Sequence, residues 1–101
     1  MCNLDKIVKS IRVEVEEHLA YLDGNLTMDR LAMLCKTNRT YVSQALTDMG
    51  GFFAYITRLR LAYFDAYRKE HPEATITQAA LASGFGTRQT FYNHLASARR
   101  M

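Results

Sequence analysis

Proline occurs once and glycine five times in 101 residues, so little in the chain interrupts long regular elements. Cysteine occurs twice. Cys2 and Cys35 match no metal-ligand or redox spacing, which removes the case for a disulfide and makes a reducing compartment the default. No run approaches the roughly 18 apolar residues of a membrane span. Asp5, Lys6 and Lys9 interrupt the N-terminal apolar stretch, so no secretory signal is read there. The expectation is a cytoplasmic protein. Paired carboxylates, a Cys/His dyad, a metal-ligand cluster and a phosphate-cradling glycine loop are all missing as patterns. The chain therefore reads as a non-enzyme without a cofactor or metal.

What is present is ordinary globular material, with 49 % hydrophobic and 23 % charged residues and enough length for one modest core. Formal net charge is +3, and its distribution says more than its total. Residues 1–24 set Lys6, Lys9 and Arg12 against Asp5, Glu14, Glu16, Glu17 and Asp23. The remainder holds ten Lys/Arg against five Asp/Glu. A basic body on a small domain fits a polyanionic partner, because neutralised phosphates release counterions.

Periodicity predicts six helices and no strand. Leu4, Ile7, Val8, Ile11, Val15, Leu19 and Leu22 recur at steps of three and four, a helix of about five turns stopping near Asp23-Gly24-Asn25. Thr27 caps a short helix carrying Leu31, Ala32, Leu34 and Cys35, and Lys36-Thr37-Asn38 is turn-like. Tyr41, Val42, Ala45, Leu46 and Met49 mark the next helix, ended by Gly50-Gly51. Phe53, Ile56, Leu59, Tyr63, Phe64 and Tyr67 mark a long helix from Phe52 to about Glu70, closed by His71-Pro72. Thr75 or Thr77 starts a short helix with Ile76, Ala79, Ala80 and Leu81. Ser83-Gly84-Phe85-Gly86 turns, and Thr87 caps a last helix with Phe91, Leu95 and Ala98.

Short helix, turn, helix thus occurs at 27–49 and again at 76–98. A helix-turn-helix needs a small residue where its helices cross, favours glycine four residues later, and wants an apolar anchor about ten after the small residue. Ala80, Gly84 and Thr90 occupy these positions in the second unit, with Phe91 supplying the adjacent apolar anchor. Ala32, Lys36 and Val42 occupy them in the first, where Lys36 departs from glycine.

Asn25-Leu26-Thr27 to Leu46, Tyr55-Ile56-Thr57-Arg58-Leu59-Arg60-Leu61, and Ile76 to Leu95 carry a resemblance to the AraC-type (AraC/XylS) family of bacterial transcription regulators. Ala82-Ser83-Gly84-Phe85-Gly86-Thr87-Arg88-Gln89-Thr90-Phe91 is its most specific piece. The resemblance implies an all-α DNA-binding domain over 1–101, with two helix-turn-helix subdomains, homeodomain-like three-helix units, at 27–49 and 76–98. Linker helix 52–70 joins them. It implies recognition helices at 39–48 and 87–98 in successive major-groove segments of double-stranded promoter DNA, with RNA polymerase as a further partner.

On this resemblance Thr40, Ser43, Gln44, Arg88, Gln89 and Asn93 match base-facing positions, with Tyr92 beside them. Arg pairs with guanine, and Gln or Asn with adenine. Lys36, Arg39, Thr87 and His94 read as phosphate contacts that position without reading sequence. Thr87 is also an N-cap, and packing remains an equal reading for Tyr92. Arg60 matches a characteristic family arginine and is expected to be structural.

Three positions depart from the family pattern. Phe64 stands where a small residue is usual, Gly50-Gly51 is shifted by one, and Ala96-Ser97 replaces a basic pair. Arg99-Arg100-Met101 align just before a Thr-Pro and a final short helix. The chain is therefore expected to be a fragment of a longer regulator whose sensor or dimerisation domain lies outside it. The alternative function is a helical protein-interaction module that has lost DNA binding.

Overall fold

A computed structural model describes residues 4–99. Cys2, Arg100 and Met101, which enter the cysteine and C-terminal arguments above, lie outside the described residues. Among the described residues every regular element is a helix and no strand occurs. The all-α class read from periodicity holds.

Helix α1 (Leu4–Arg12) buries Ile7 and Ile11, then widens into a π turn, Val13–Glu17, that buries Val15. The π turn is closed by the His18 N–H donating to the Val13 carbonyl at 2.9 Å. The helix stops there, because Leu19 takes φ +62° and is 48 % exposed. Ala20–Leu22 forms a separate 3-10 turn. The five-turn helix expected through Leu22 is therefore corrected to a helix over 4–17, a break and a short turn. Apolar spacing carries no mark of this break. The carbonyls of Tyr21 and Asp23 are held instead by a distant side chain, Arg60.

Helices α2 (Met28–Leu34) and α3 (Arg39–Leu46) follow. Thr27 Oγ1 accepts the Arg30 N–H at 3.1 Å, and Asn38 Oδ1 accepts that of Tyr41 at 3.0 Å. Each such cap stabilises its helix by about 1 kcal/mol. Leu34 is exposed, while Cys35, the half-buried C-cap, packs against the first core. Burial, and secondarily Glu14, push the Cys35 thiol pKa up. Met49 falls in a 3-10 turn, Thr47–Met49, beyond α3.

The long helix α4 (Phe52–Glu70) buries Tyr55, Ile56, Thr57, Arg60 and Phe64. Phe53, expected in the core stripe, is 42 % exposed, while Tyr55 and Arg60 are the buried members that spacing of apolar residues does not reveal. The Tyr55 hydroxyl donates to Glu16 Oε2 at 2.6 Å. Burial and this bond hold the phenol well above its ordinary pKa. The bond ties α4 to the π turn and satisfies a hydroxyl that would otherwise be desolvated without a partner.

Helix α5 (Ile76–Ala82) is started by Thr75, not Thr77. The Gln78 N–H donates to Thr75 Oγ1 at 3.1 Å and the Thr75 N–H donates to Gln78 Oε1 at 2.9 Å, a reciprocal capping box. Leu81, read as an apolar face residue, is exposed. Helix α6 (Arg88–Arg99) begins after Thr87, whose Oγ1 accepts the Thr90 N–H at 3.0 Å.

Two cores result, and α4 is common to both. One gathers Ile7, Ile11, Val15, Leu31, Val42 and Leu46 against Tyr55 and Ile56. The other gathers Phe64, Ala79, Ala80, Phe85 and Phe91. Phe64 stacks on Phe91 with ring centroids 4.1 Å apart, so the large residue that departs from the family pattern fills the second core. Each fully buried aliphatic or aromatic side chain contributes about 1.5–3 kcal/mol. With a core on either side of the α4 midpoint, the molecule is elongated, 51 × 27 × 19 Å.

Candidate nucleic-acid interface

The turn after α2 and the turn after α5 repeat each other bond for bond. In the first, the N–H groups of Cys35, Lys36 and Thr37 donate to the carbonyls of Leu31, Met33 and Ala32 at 3.0, 3.1 and 2.9 Å. In the second, those of Ser83, Gly84 and Phe85 donate to Ala79, Leu81 and Ala80 at 3.0, 3.3 and 3.0 Å. Ala32 and Ala80 are both buried. Lys36 and Gly84 both have positive φ, +55° and +90°. Lys36 thus adopts the backbone for which glycine is favoured, and does so exposed to solvent.

The second turn is longer by one residue, Gly86, at φ +82°. Beyond it the correspondence shifts by one position. Caps Asn38 and Thr87 match, and so do the buried anchors Val42 and Phe91. The anchor is Phe91, the apolar residue read beside the strict Thr90 spacing, and Gly86 is the reason for the one-residue offset. Thr90 is half-buried and its hydroxyl oxygen lies 2.9 Å from that of Thr87.

The same register pairs Arg39 with Arg88, Thr40 with Gln89, Ser43 with Tyr92, and Gln44 with Asn93. All eight are exposed. On α3, Arg39, Thr40, Ser43 and Gln44 line a shallow groove with Met28. Sequence reasoning missed Met28, whose signal was its place directly after the Thr27 cap. Arg39 Nη1 lies 3.7 Å from Asp29 Oδ2, with both side chains mostly in water, a pairing worth well under 1 kcal/mol. On α6, the Arg88 guanidinium sits over the Tyr92 ring at 5.5 Å, and Gln89 Nε2 donates to Asn93 Oδ1 at 3.0 Å. Four candidate side chains are thereby held as two pairs one turn apart. The caps occupy the third N–H of each helix, so those of Arg39 and Thr40, and of Arg88 and Gln89, have no intrahelical partner.

His94 is different. Its register match is Ala45, a core-facing position. Its ring packs edge-on against Phe53 at 4.9 Å and Phe85 at 5.7 Å, and its Nδ1 is enclosed without a hydrogen-bond partner. Burial, and then nearby Arg60, lower its pKa. The phosphate contact expected of His94 is corrected to packing between α4 and α6. Lys36 and Thr87 stand exposed beside the two rows.

No group of three or more His, Cys, Asp or Glu is placed to hold a metal among the described residues, and no helix among them is long and apolar enough to cross a membrane. Compared with protein-family models, curated proteins and solved structures, the chain finds no match.

Proposed function

We propose that the chain binds double-stranded DNA sequence-specifically, as a transcription-regulating output domain of AraC type built from two helix-turn-helix subdomains on linker helix α4. The observation that carries this reading is the repeated turn. Two helix pairs with the same turn hydrogen bonds, the same buried alanine and the same positive-φ residue each present a second helix with an exposed polar row. Arg, Gln and Asn in those rows are the side chains that pair with base edges in a major groove. Arg39, Lys36 and Thr87, with the unpartnered N–H groups of α3 and α6, suit phosphates. The weak Arg39–Asp29 pair exchanges readily for a phosphate. A body 51 Å long is compatible with contacts at two successive major-groove faces, roughly 34 Å apart.

Fluorescence-anisotropy titration with mixed-sequence duplexes at two salt concentrations tests the reading. Affinity that falls steeply with salt, and selection of one sequence from a random pool, is the expected result. Absence of binding to any duplex at low salt would refute it. That result would favour a helical interaction module presenting exposed apolar side chains such as Met33 and Leu81.

A further inference from the structure

Where the two cores meet, residues 21–24 come against residues 84–86. Arg60, only 7 % exposed, donates through Nε to the Tyr21 carbonyl at 2.6 Å and through Nη2 to the Asp23 carbonyl at 2.8 Å. The rigid guanidinium fork binds two backbone acceptors at once, a geometry that a single ammonium does not reproduce. Gly84 faces the same spot. A Cβ there would lie 2.6 Å from the Tyr21 carbonyl oxygen and 3.0 Å from Arg60 Nε. A Cβ on Gly24 would lie 3.2 Å from the Gly84 carbonyl oxygen. Two backbones thus touch without side chains between them, and Tyr21 meets Tyr63 edge-on at 6.2 Å to close one flank.

We propose that Arg60 and Gly84 form a joint fixing the distance and phase between the polar rows of α3 and α6, so that Arg60 is a positioning residue for two-groove reading. The inference rests on the DNA-binding reading above. Arg60 belongs to the helix common to both cores, Tyr21 and Asp23 follow the helix that builds the first core, and Gly84 lies in the turn that aims α6. A change at Arg60 tilts one row relative to the other while leaving each row's own helix pair intact, whereas a change at Gly84 also strains the turn that aims α6. The joint makes the protein strict about spacing. One inserted base pair displaces the second groove segment by about 3.4 Å and turns it by roughly 35°, so a rigid molecule keeps only one of its two contacts.

The experiment uses the selected duplex and versions with one to three base pairs inserted between the two contacted segments. Wild type is expected to lose roughly tenfold or more in affinity per mismatched arrangement, the scale of a lost base contact. Arg60→Met is expected to bind the parent duplex more weakly but to lose less than about threefold on insertion, since each half still docks by itself. In parallel, spin labels at Thr47→Cys and Ala96→Cys, in a Cys2→Ser/Cys35→Ser background, report the distance between the ends of α3 and α6 without DNA. The distribution is expected to be narrow in the Arg60 parent and broadened in Arg60→Met at unchanged far-UV circular dichroism. If Arg60→Met loses its helical signal, Gly84→Ala, read at low temperature, takes its place. A narrow distribution in the folded variant, or a spacing profile equal to wild type, would overturn the joint. If wild type binds no duplex, the DNA reading fails while the spin-label distances still decide the joint.

Discussion

Gly84 and Gly86 offer a controlled comparison, because both have positive φ and they differ in surroundings. Their φ values are +90° and +82°. A Cβ on Gly86 meets nothing within 4 Å, whereas one on Gly84 lies 2.6 Å from Tyr21 O and 3.0 Å from both Arg60 Nε and the Leu22 carbonyl carbon. Alanine at 86 therefore carries only the left-handed backbone cost, about 1–2 kcal/mol. Alanine at 84 carries the same cost plus overpacking against backbone, about 1–3 kcal/mol more. Its neighbours yield little, since the Tyr21 carbonyl is held by Arg60. At roughly 4–8 °C per kcal/mol for a domain of this size, Gly84→Ala should melt roughly 5–20 °C below Gly86→Ala. Both variants remain folded at low temperature, because typical stabilities are about 5–15 kcal/mol. Thermal and urea unfolding followed by far-UV circular dichroism reads the difference. Melting temperatures within about 2 °C of each other would refute the close contact and the joint built on it.

Three further outcomes follow from the site. Lys36→Gly relieves a lysine at φ +55°, gaining about 1–2 kcal/mol in strain against about 0.5–1 in chain entropy. Its urea midpoint should rise at unchanged slope while duplex affinity and its salt dependence fall, and a lower midpoint contradicts the turn geometry. His94 resists protonation in the folded state because burial, and then Arg60, lower its pKa, so below about pH 6.5 the unfolded chain binds more protons and stability falls. The urea midpoint should drop between pH 7.5 and 5.5 less in His94→Phe than in wild type, and equal drops contradict the enclosed placement. Gln89→Ala should cost roughly 1–3 kcal/mol on the selected duplex and relax preference at one position. Equal binding to all sequences before and after the change would remove α6 from base reading.

Much of the fold was legible because it is local. Thr27 and Thr87 each precede a helix whose first-turn N–H they accept, and Pro72 closes α4 by sterics alone. The candidate rows were legible for a related reason. Ala32 to Val42, and Ala80 to the Thr90–Phe91 pair, keep the spacing of a tight turn between two crossing helices, and the site residues themselves came from the family resemblance. The misses concern residues whose roles are set from far away in the chain. Phe53 and Leu81 have helical spacing yet lie outside the two cores, Phe53 against His94 and Leu81 toward solvent, since α4 rotates to bury Tyr55 and Arg60 and α5 buries its alanines. His94 is a polar residue drawn onto a core-facing position, which spacing alone does not separate from its exposed neighbours.

By itself the sequence determined an all-helical chain, the ends of most helices and the two turns, because capping, proline sterics and apolar periodicity act within a few residues; the polar rows came from the family resemblance. Tertiary structure decided the break at Leu19, the single extra residue that sets Phe91 as the anchor, the inward turn of His94, and the Arg60–Gly84 contact. The Arg60–Tyr21, Phe53–His94 and Gly84–Tyr21 contacts join residues about 40 to 60 positions apart at 2.6–4.9 Å, and the extra turn residue shows only on comparing two turns in space. Side-chain type and spacing along a chain carry no record of such distances.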